Sequence, residues 1–303
     1  MKKIKVLIAG GTGFIGYHLA KACLKKKWIV TSLSLNKPKK IRKLKKVRYL
    51  VCDISKKKNI TDNIKGHYDY VFNFAGYVDH KSKNKNFNSH FLGCKNLAKF
   101  FLNKKLKRFI QIGSSIEYGK KLSPQKESNI SKRIANSFYG QAKLLSTNYL
   151  LDLFKKKFFP STILRLYLVY GPHQDANRVI PITILNCLNN RKFPCSEGIQ
   201  YRDFIYVDDL INVIFKVLDN ENTIGEVYNI GTGKPVMIRT LIQMIKRITK
   251  KGTPLYGKLK FRKDEIKKLY PDISKIKKKL KWAPKITLRY GLKKTIKYYK
   301  NVI

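Results

Sequence analysis

Tyr139 and Lys143 stand four residues apart in the run Tyr139-Gly140-Gln141-Ala142-Lys143. On a helix that spacing puts both side chains on one face. An ammonium beside a phenol stabilises the phenolate and draws the tyrosine down from its usual pKa of ~10. Such a tyrosine can pass a proton to or from an oxygen while a hydride moves at the carbon that bears it. Ser114, at the end of a predicted strand, could hydrogen-bond that oxygen and orient it. Tyr and Lys four apart are commonplace on amphipathic helices, and nearly trivial in a chain this rich in lysine. The pair therefore gains meaning only beside a motif that would hold a hydride carrier.

That motif is Gly10-Gly11-Thr12-Gly13-Phe14-Ile15-Gly16, between an apolar run and a helical pattern. Gly10 permits the tight turn, Gly13 lets the backbone approach a pyrophosphate, and Gly16 allows close helix–strand packing. Free N–H groups at the helix start, at Phe14 and Ile15, then hold the phosphates. The alternative is a purely structural glycine turn. An NAD-specific site usually carries Asp or Glu about 20 residues on, gripping the ribose. Here the second strand ends in Ser32-Leu33-Ser34-Leu35-Asn36, and no acidic residue precedes Asp53. Ser34, with Lys37 or Lys39 nearby, could accommodate a 2′-phosphate that a carboxylate would repel. The expectation is NADP, with NAD as the alternative. Asp53, just after the third strand, is placed to bond the adenine; an ordinary strand-end cap is its other reading.

These residues need elements to position them. Short β-branched or apolar runs predict strands over 5–9, 29–33, 47–52, 70–75, 109–113 and 162–169. Longer amphipathic stretches predict helices over 16–26, 86–103 and 138–156. Strands alternating with helices indicate an α/β fold, a Rossmann-type doubly wound parallel sheet covered on both faces. After Gly171-Pro172 the rhythm becomes a mixture of helices, loops and short strands, as in a smaller mixed α/β lobe that binds substrate at the strand ends. The expected division is a dinucleotide-binding domain over 1–171, with 204–231 returning to it, and a substrate-binding lobe over 172–303.

Composition narrows the class. Of 303 residues 43% are hydrophobic, enough for a substantial core, and no apolar run reaches a membrane span of ~20 residues. The opening MKKIKVLIAGG carries an apolar run too short for a signal peptide and ends in glycines without a cleavage site. Five cysteines without a CxxC pair read as free thiols, and the five histidines show no metal spacing. A cytoplasmic protein without a metal is expected. The formal charge of +48 raises nucleic acid as a partner. Yet 54 of the 66 basic residues are Lys and only 12 Arg, whereas nucleic-acid readers favour Arg for bidentate contacts. Lysines spread along the whole chain fit a composition bias on a solvated surface, so nucleic acid should bind only non-specifically, through charge.

Taken together, the motifs resemble the extended short-chain dehydrogenase/reductases, the nucleotide-sugar epimerase, dehydratase and reductase family. The resemblance runs over about 4–299. It includes GGTGFIG, NFAG at 73–76, GSSIEYG at 113–119, YGQAK at 139–143 and RLYLVYGP at 165–172. It continues with YRDFIYVDD at 201–209, EVYNIGTG at 226–233, and FRKDEIKKLYPDISK leading to the LKW around Trp282. It implies Ser114, Tyr139 and Lys143 as the catalytic set, and adds Ile54 and Ala75 to the cofactor contacts. By the same resemblance Ser115 meets the substrate, Arg202 and Arg262 the nucleotide diphosphate, and Glu265 the ribose. Arginine suits a diphosphate by charge and bidentate geometry; the alternative is ion pairing with Asp203, Asp208 or Asp264. The family also implies a homodimer through the helices over 86–103 and 139–154, where Phe100, Phe101, Leu145 and Leu150 could equally be core.

Departures narrow the reaction. The family's dehydratases carry an Asp-Glu pair after the catalytic hydroxyl residue; here Ser115 and Ile116 stand there. Leu168 replaces the Asn common in 4-epimerases, and His90 replaces the Asn of the usual proton relay. GSSIEYG is similar to reductases that act on 4-keto-6-deoxy nucleotide sugars, making GDP-rhamnose, CDP-paratose or CDP-abequose. The leading expectation is thus reduction of such a 4-ketone on a nucleotide-diphosphate sugar. An epimerase with retained NAD comes second, and an RNA-binding member of the fold, motivated by the charge, comes third.

Overall fold

The computed structural model describes residues 3–77, 82–128, 137–261 and 265–302. Two compact units share the chain: the first comprises Met1–Lys120, Glu127–Leu166 and Ile211–Tyr228, the second Lys121–Lys126, Tyr167–Leu210 and Asn229–Ile303.

The first unit opens with β1 (Lys5–Ala9), α1 (Phe14–Lys25), β2 (Ile29–Ser34) and β3 (Val47–Val51). α2 (Lys57–Asn63), β4 (Tyr70–Asn73) and α3 (Lys83–Asn86) follow, then a π-helical stretch Phe87–Leu92 that runs into α4 (Gly93–Phe101). β5 (Arg108–Ser114), a 3-10 turn Ser115–Tyr118, α5 (Phe138–Lys157) and β6 (Ser161–Leu166) complete the run. Every β-pair from β3 through β6 is parallel. A continuous apolar run such as Val6–Ala9, wholly buried, is what a strand covered on both faces requires. The strand order is β11-β6-β5-β4-β1-β2-β3, with β11 at Val227–Ile230. The chain runs outward from β1 through β2 to β3, then returns to β4 on the other side. This reversal makes the crevice between the β1 and β4 ends the switch point where such sheets bind ligands. The fold is therefore the expected Rossmann-type α/β sheet.

Local chemistry explains the helix that carries Tyr139. Ser137 caps α5 by accepting from Gly140 N at 3.1 Å, and Lys155, Lys156 and Lys157 face the negative end of its dipole. Phe158 ends it in the left-handed region at φ 50°. Phe101 and Leu150 belong to the core, Phe100 packs against it, and Leu145 is exposed. At the sheet's far side Arg108 is buried and donates to Thr223 Oγ1 at 2.8 Å and to Asn220 O at 3.3 Å. That arginine ties the late segment Ile211–Tyr228 to the start of β5.

One expected strand is two. The 162–169 run breaks at Tyr167, and the following β7 (Leu168–Tyr170) pairs in parallel with β10 (Phe204–Tyr206) in the second unit. Leu168 N donates to Asp203 O at 3.0 Å and Tyr167 Oη donates to Gln125 Oε1 at 2.7 Å, so the ladder partner changes at a buried tyrosine. The second unit also holds β8 (Lys192–Pro194) beside β13 (Thr253–Leu255), and a three-stranded sheet β12-β9-β14 at Val236–Met237, Tyr201–Arg202 and Lys268–Leu269. Its helices include α6 (Val179–Leu188), α8 (Ile238–Thr249), α9 (Ser274–Leu280) and α10 (Leu288–Lys300); α7 (Val207–Leu218) bridges the division in sequence. No helix among the described residues is long and apolar enough to cross a membrane.

Candidate active site

The glycine turn sits between β1 and α1 as the motif requires. Gly10 has φ +79°, and a Cβ there would lie 2.7 Å from Ala75 N and from the Phe74 carbonyl, so the loops after β1 and β4 touch. Gly16 is equally constrained, because a side chain would run into Gly10 O. Gly13 caps α1 without any side-chain bond, and the first turn, beginning with Phe14 and Ile15, contains no acidic residue. A bare helix start with unopposed dipole is a ready anion site, so these residues fit a dinucleotide pyrophosphate.

Ser34 ends β2 and its Oγ accepts from Thr12 N at 3.3 Å, so it braces the glycine turn. Asp53 lies just beyond β3, where its Oδ1 accepts from both Ser55 N, at 2.9 Å, and Ser55 Oγ, at 2.7 Å. The strand-end cap is therefore realised. Ile54 is buried, and its carbonyl accepts from Asn96 Nδ2 at 3.1 Å while its side chain packs where Gly93 has none.

Tyr139 and Lys143 share a face of α5: Lys143 Nζ lies 5.9 Å from the centre of the Tyr139 ring. Lys143 is buried and donates to Ile112 O at 2.7 Å, which fixes it against the strand that ends in Ser114. Burial pulls its ammonium down to about 8, with Glu117 the strongest opposing group. Ser114 accepts from Ile116 N at 3.4 Å, leaving its own hydrogen for another acceptor. Ser115 is buried in the turn that follows.

Sequence reasoning assigned no role to two neighbours that the structure brings in. His90, on the π-helical stretch, meets the Tyr139 ring edge-on with centroids 4.8 Å apart. Its Nε2 donates to Tyr77 O at 2.9 Å, and Gly76 closes against the same ring. A π-bulge at such a place is frequent near functional groups. Glu117 is the other: it accepts from Ser114 N, and its side chain is wholly buried on Arg165. Ser114-Ser115-Ile116-Glu117 matches the S-x-x-E capping pattern, a signal legible in the sequence.

In the second unit Arg202 and Glu265 are brought together in one ion pair, and Arg202 also donates to Tyr201 O at 2.7 Å. Of the aspartates expected as alternative partners, Asp203 is buried and accepts from Thr232 N, Thr232 Oγ1 and Lys234 N, and Asp264 lies outside the described residues. Arg262 lies outside the described residues. The five cysteines are free and buried, and among the described residues no group of three His, Cys, Asp or Glu could hold a metal ion.

Residues 6–231 match the NAD dependent epimerase/dehydratase family. The dTDP-D-glucose 4,6-dehydratase of Homo sapiens is 27% identical, the alignment covering 98% of this chain and 90% of that protein. The CDP-abequose synthase of Salmonella muenchen is 32% identical over a shorter stretch, 44% of this chain and 46% of that protein. Among solved structures, the Thermotoga maritima UDP-glucose 4-epimerase with UDP-glucose is 26% identical with a TM-score of 0.90 over 99% of both chains. The Bacillus cereus UDP-glucuronic acid 4-epimerase, in complex with UDP-glucuronic acid and NAD, is 28% identical with a TM-score of 0.87, covering 99% of this chain and 100% of that one.

Proposed function

Because this chain belongs to the NAD dependent epimerase/dehydratase family, and so is an enzyme, we propose that it reduces the 4-keto group of a nucleotide-activated 4-keto-6-deoxy sugar. The observation that carries this reading lies at the end of β5. Elimination of water needs an acid for the leaving hydroxyl and a base for the carbon-bound proton. Ser115 and Ile116 offer neither, and the one carboxylate of that segment, Glu117, is turned inward onto Ser114 N, Thr147 and Arg165. What remains is a proton donor without an elimination pair.

The dinucleotide, when bound at the glycine turn, supplies the hydride. Tyr139 donates the proton to the oxygen of the reduced carbon, and Ser114 orients that oxygen with its free hydrogen. Lys143 holds a positive charge beside the phenol and favours its ionised form once the proton has left. In this reading the second unit binds the nucleotide, with Arg202 at the diphosphate and Glu265 at the ribose; Arg262, the other arginine expected there, lies outside the described residues. A homodimer through α4 and α5 fits the exposed Leu145. NADP is preferred over NAD in this reading, because the end of β2 offers Ser34, Leu35 and Asn36 and no carboxylate.

A 4-epimerase is the second reading, favoured by the similarity to two 4-epimerases over nearly the whole chain. The two separate in one experiment, in which purified protein is given NADPH and a panel of nucleotide-linked 4-keto-6-deoxy sugars and stable nucleotide sugars. Stoichiometric NADPH consumption supports the reductase; interconversion of stable sugars without it, on tightly retained NAD, makes the protein an epimerase. Tyr139→Phe should lower turnover by about 10²–10⁴-fold with dinucleotide affinity unchanged. Near-normal turnover in that variant would sink the assignment.

A further inference from the structure

We propose that Glu117 is a positioning residue, whose buried carboxylate keeps Lys143 in its charged form and fixes Ser114 at the strand end. The carboxylate is gripped from three directions. Its Oε1 accepts from Ser114 N at 2.7 Å, and its Oε2 accepts from Thr147 Oγ1 at 2.8 Å and from Arg165 Nε at 2.9 Å. Thr147 stands one turn beyond Lys143 on α5, so both side chains lie on the helix face that meets the Ser115–Tyr118 turn. Arg165 comes from β6 and lies over the Tyr118 ring, its guanidinium carbon 4.5 Å from the centroid. Glu117 therefore cannot swing away, and the main-chain N–H of Ser114, at the N-cap of the turn, is held by the same carboxylate.

Lys143 needs such an anion because its surroundings otherwise favour the neutral amine. Burial is the larger influence and acts against the charge, while Glu117 is the strongest opposing group. The other titratable groups around it give little help. Cys94 of α4 has its thiol pushed up to about 12 by burial, so it is uncharged at neutral pH. Tyr139 lies a turn earlier on the same helix, with His90 beyond it, and Arg165 is itself a cation paired to Glu117. A neutral Lys143 would leave the Tyr139 phenol without the cation that stabilises its ionised form.

This inference rests on reading Tyr139 and Lys143 as the proton-transfer pair, yet its central measurement does not depend on turnover. The Lys143 side-chain resonance, identified with Lys143→Arg in carbon-13 lysine-labelled protein, is followed against pH in the unaltered chain, Glu117→Gln and Thr147→Val. The Glu117→Gln midpoint should fall by about 1 pH unit or more, the usual influence of a close opposite charge. Thr147→Val removes a hydrogen bond and no charge, so its midpoint should move less than half as far. The alkaline limb of kcat/KM should shift downward in step with the Glu117→Gln midpoint. An unmoved midpoint in folded Glu117→Gln overturns the proposal whatever the activity. A shifted midpoint in a chain inactive on every nucleotide sugar upholds Glu117 and strikes instead at the reductase reading. Should Glu117→Gln fail to fold, the double variant Glu117→Gln/Arg165→Met removes the buried pair as a pair, a change that often preserves folding. Because that variant also loses a cation, its midpoint is compared with that of Arg165→Met alone: a value lower by about 1 pH unit upholds the proposal and an equal value overturns it.

Discussion

Arg165–Glu117 and Arg202–Glu265 join the same two side-chain types in different surroundings. The first pair is 1% and 0% exposed, and its carboxylate accepts two further hydrogen bonds. The second is 11% and 24% exposed. At Arg165 burial works against the charge, yet Glu117 and Tyr118 together hold the guanidinium above its ordinary range. At Arg202 burial outweighs the help from Glu265, and the guanidinium is pulled below it. One arginine has more negative partnership than it needs and behaves as permanent framework. The other is under-served, so a second anion such as a diphosphate would relieve it.

Three measurements can break or sharpen that contrast. Arg165→Ala leaves Glu117 buried beside an empty site, and should cost about 3–5 kcal/mol of folding stability by urea denaturation. A loss below about 1 kcal/mol would erase the distinction between the pairs. Lys143 offers a buried cation with partial compensation. Its folded value of about 8 lies below that of free lysine, so its burial weakens the fold below pH 8. That penalty fades as pH rises from there towards ~10, where the unfolded chain also gives up its proton. Lys143→Met should accordingly stabilise the protein by about 1–3 kcal/mol at neutral pH, with the gain shrinking as pH approaches ~10, and abolish turnover. A destabilised Lys143→Met would show that Glu117 over-compensates it as well. Arg202→Ala, the mildest for the fold, should change stability by about 1 kcal/mol or less while raising KM for a nucleotide sugar about tenfold or more. An unchanged KM would remove Arg202 from the substrate site.

The same contrast marks what a single sequence can tell. The sheet was legible because its strands are short apolar runs between amphipathic helices, and β1 matches the expectation at both ends. The break at Tyr167 was not, since 162–169 reads as one strand-forming run, apolar but for Thr162 and Arg165, and its second half is claimed by Asp203, far along the chain. Gly10, Ser114, Tyr139 and Lys143 could be found because their chemistry is written in local spacing. Glu117 was half-legible, as the end of a capping box, while its bond to Arg165 joins residues in separate elements. Ser34 was singled out for a 2′-phosphate, and local pattern could not foresee its bond to Thr12 N. His90 was visible only as a departure, because its contact with Tyr139 depends on how the π-helical stretch packs on α5.

The arginine at the start of β5 has a consequence for how the chain is made. Arg108 finds its partners at Thr223 and Asn220, and β6 takes Ile163 N to Glu226 O at 2.9 Å along its outer edge. During synthesis these groups emerge from the ribosome long before their partners do. Until about residue 228 has been released, the nascent sheet carries an open β6 edge and an unanswered guanidinium, the kind of surface on which strands of other chains add. The sheet's last strand is thus also a timer: it closes the first unit only after the stretch Tyr167–Leu210 of the second has been translated.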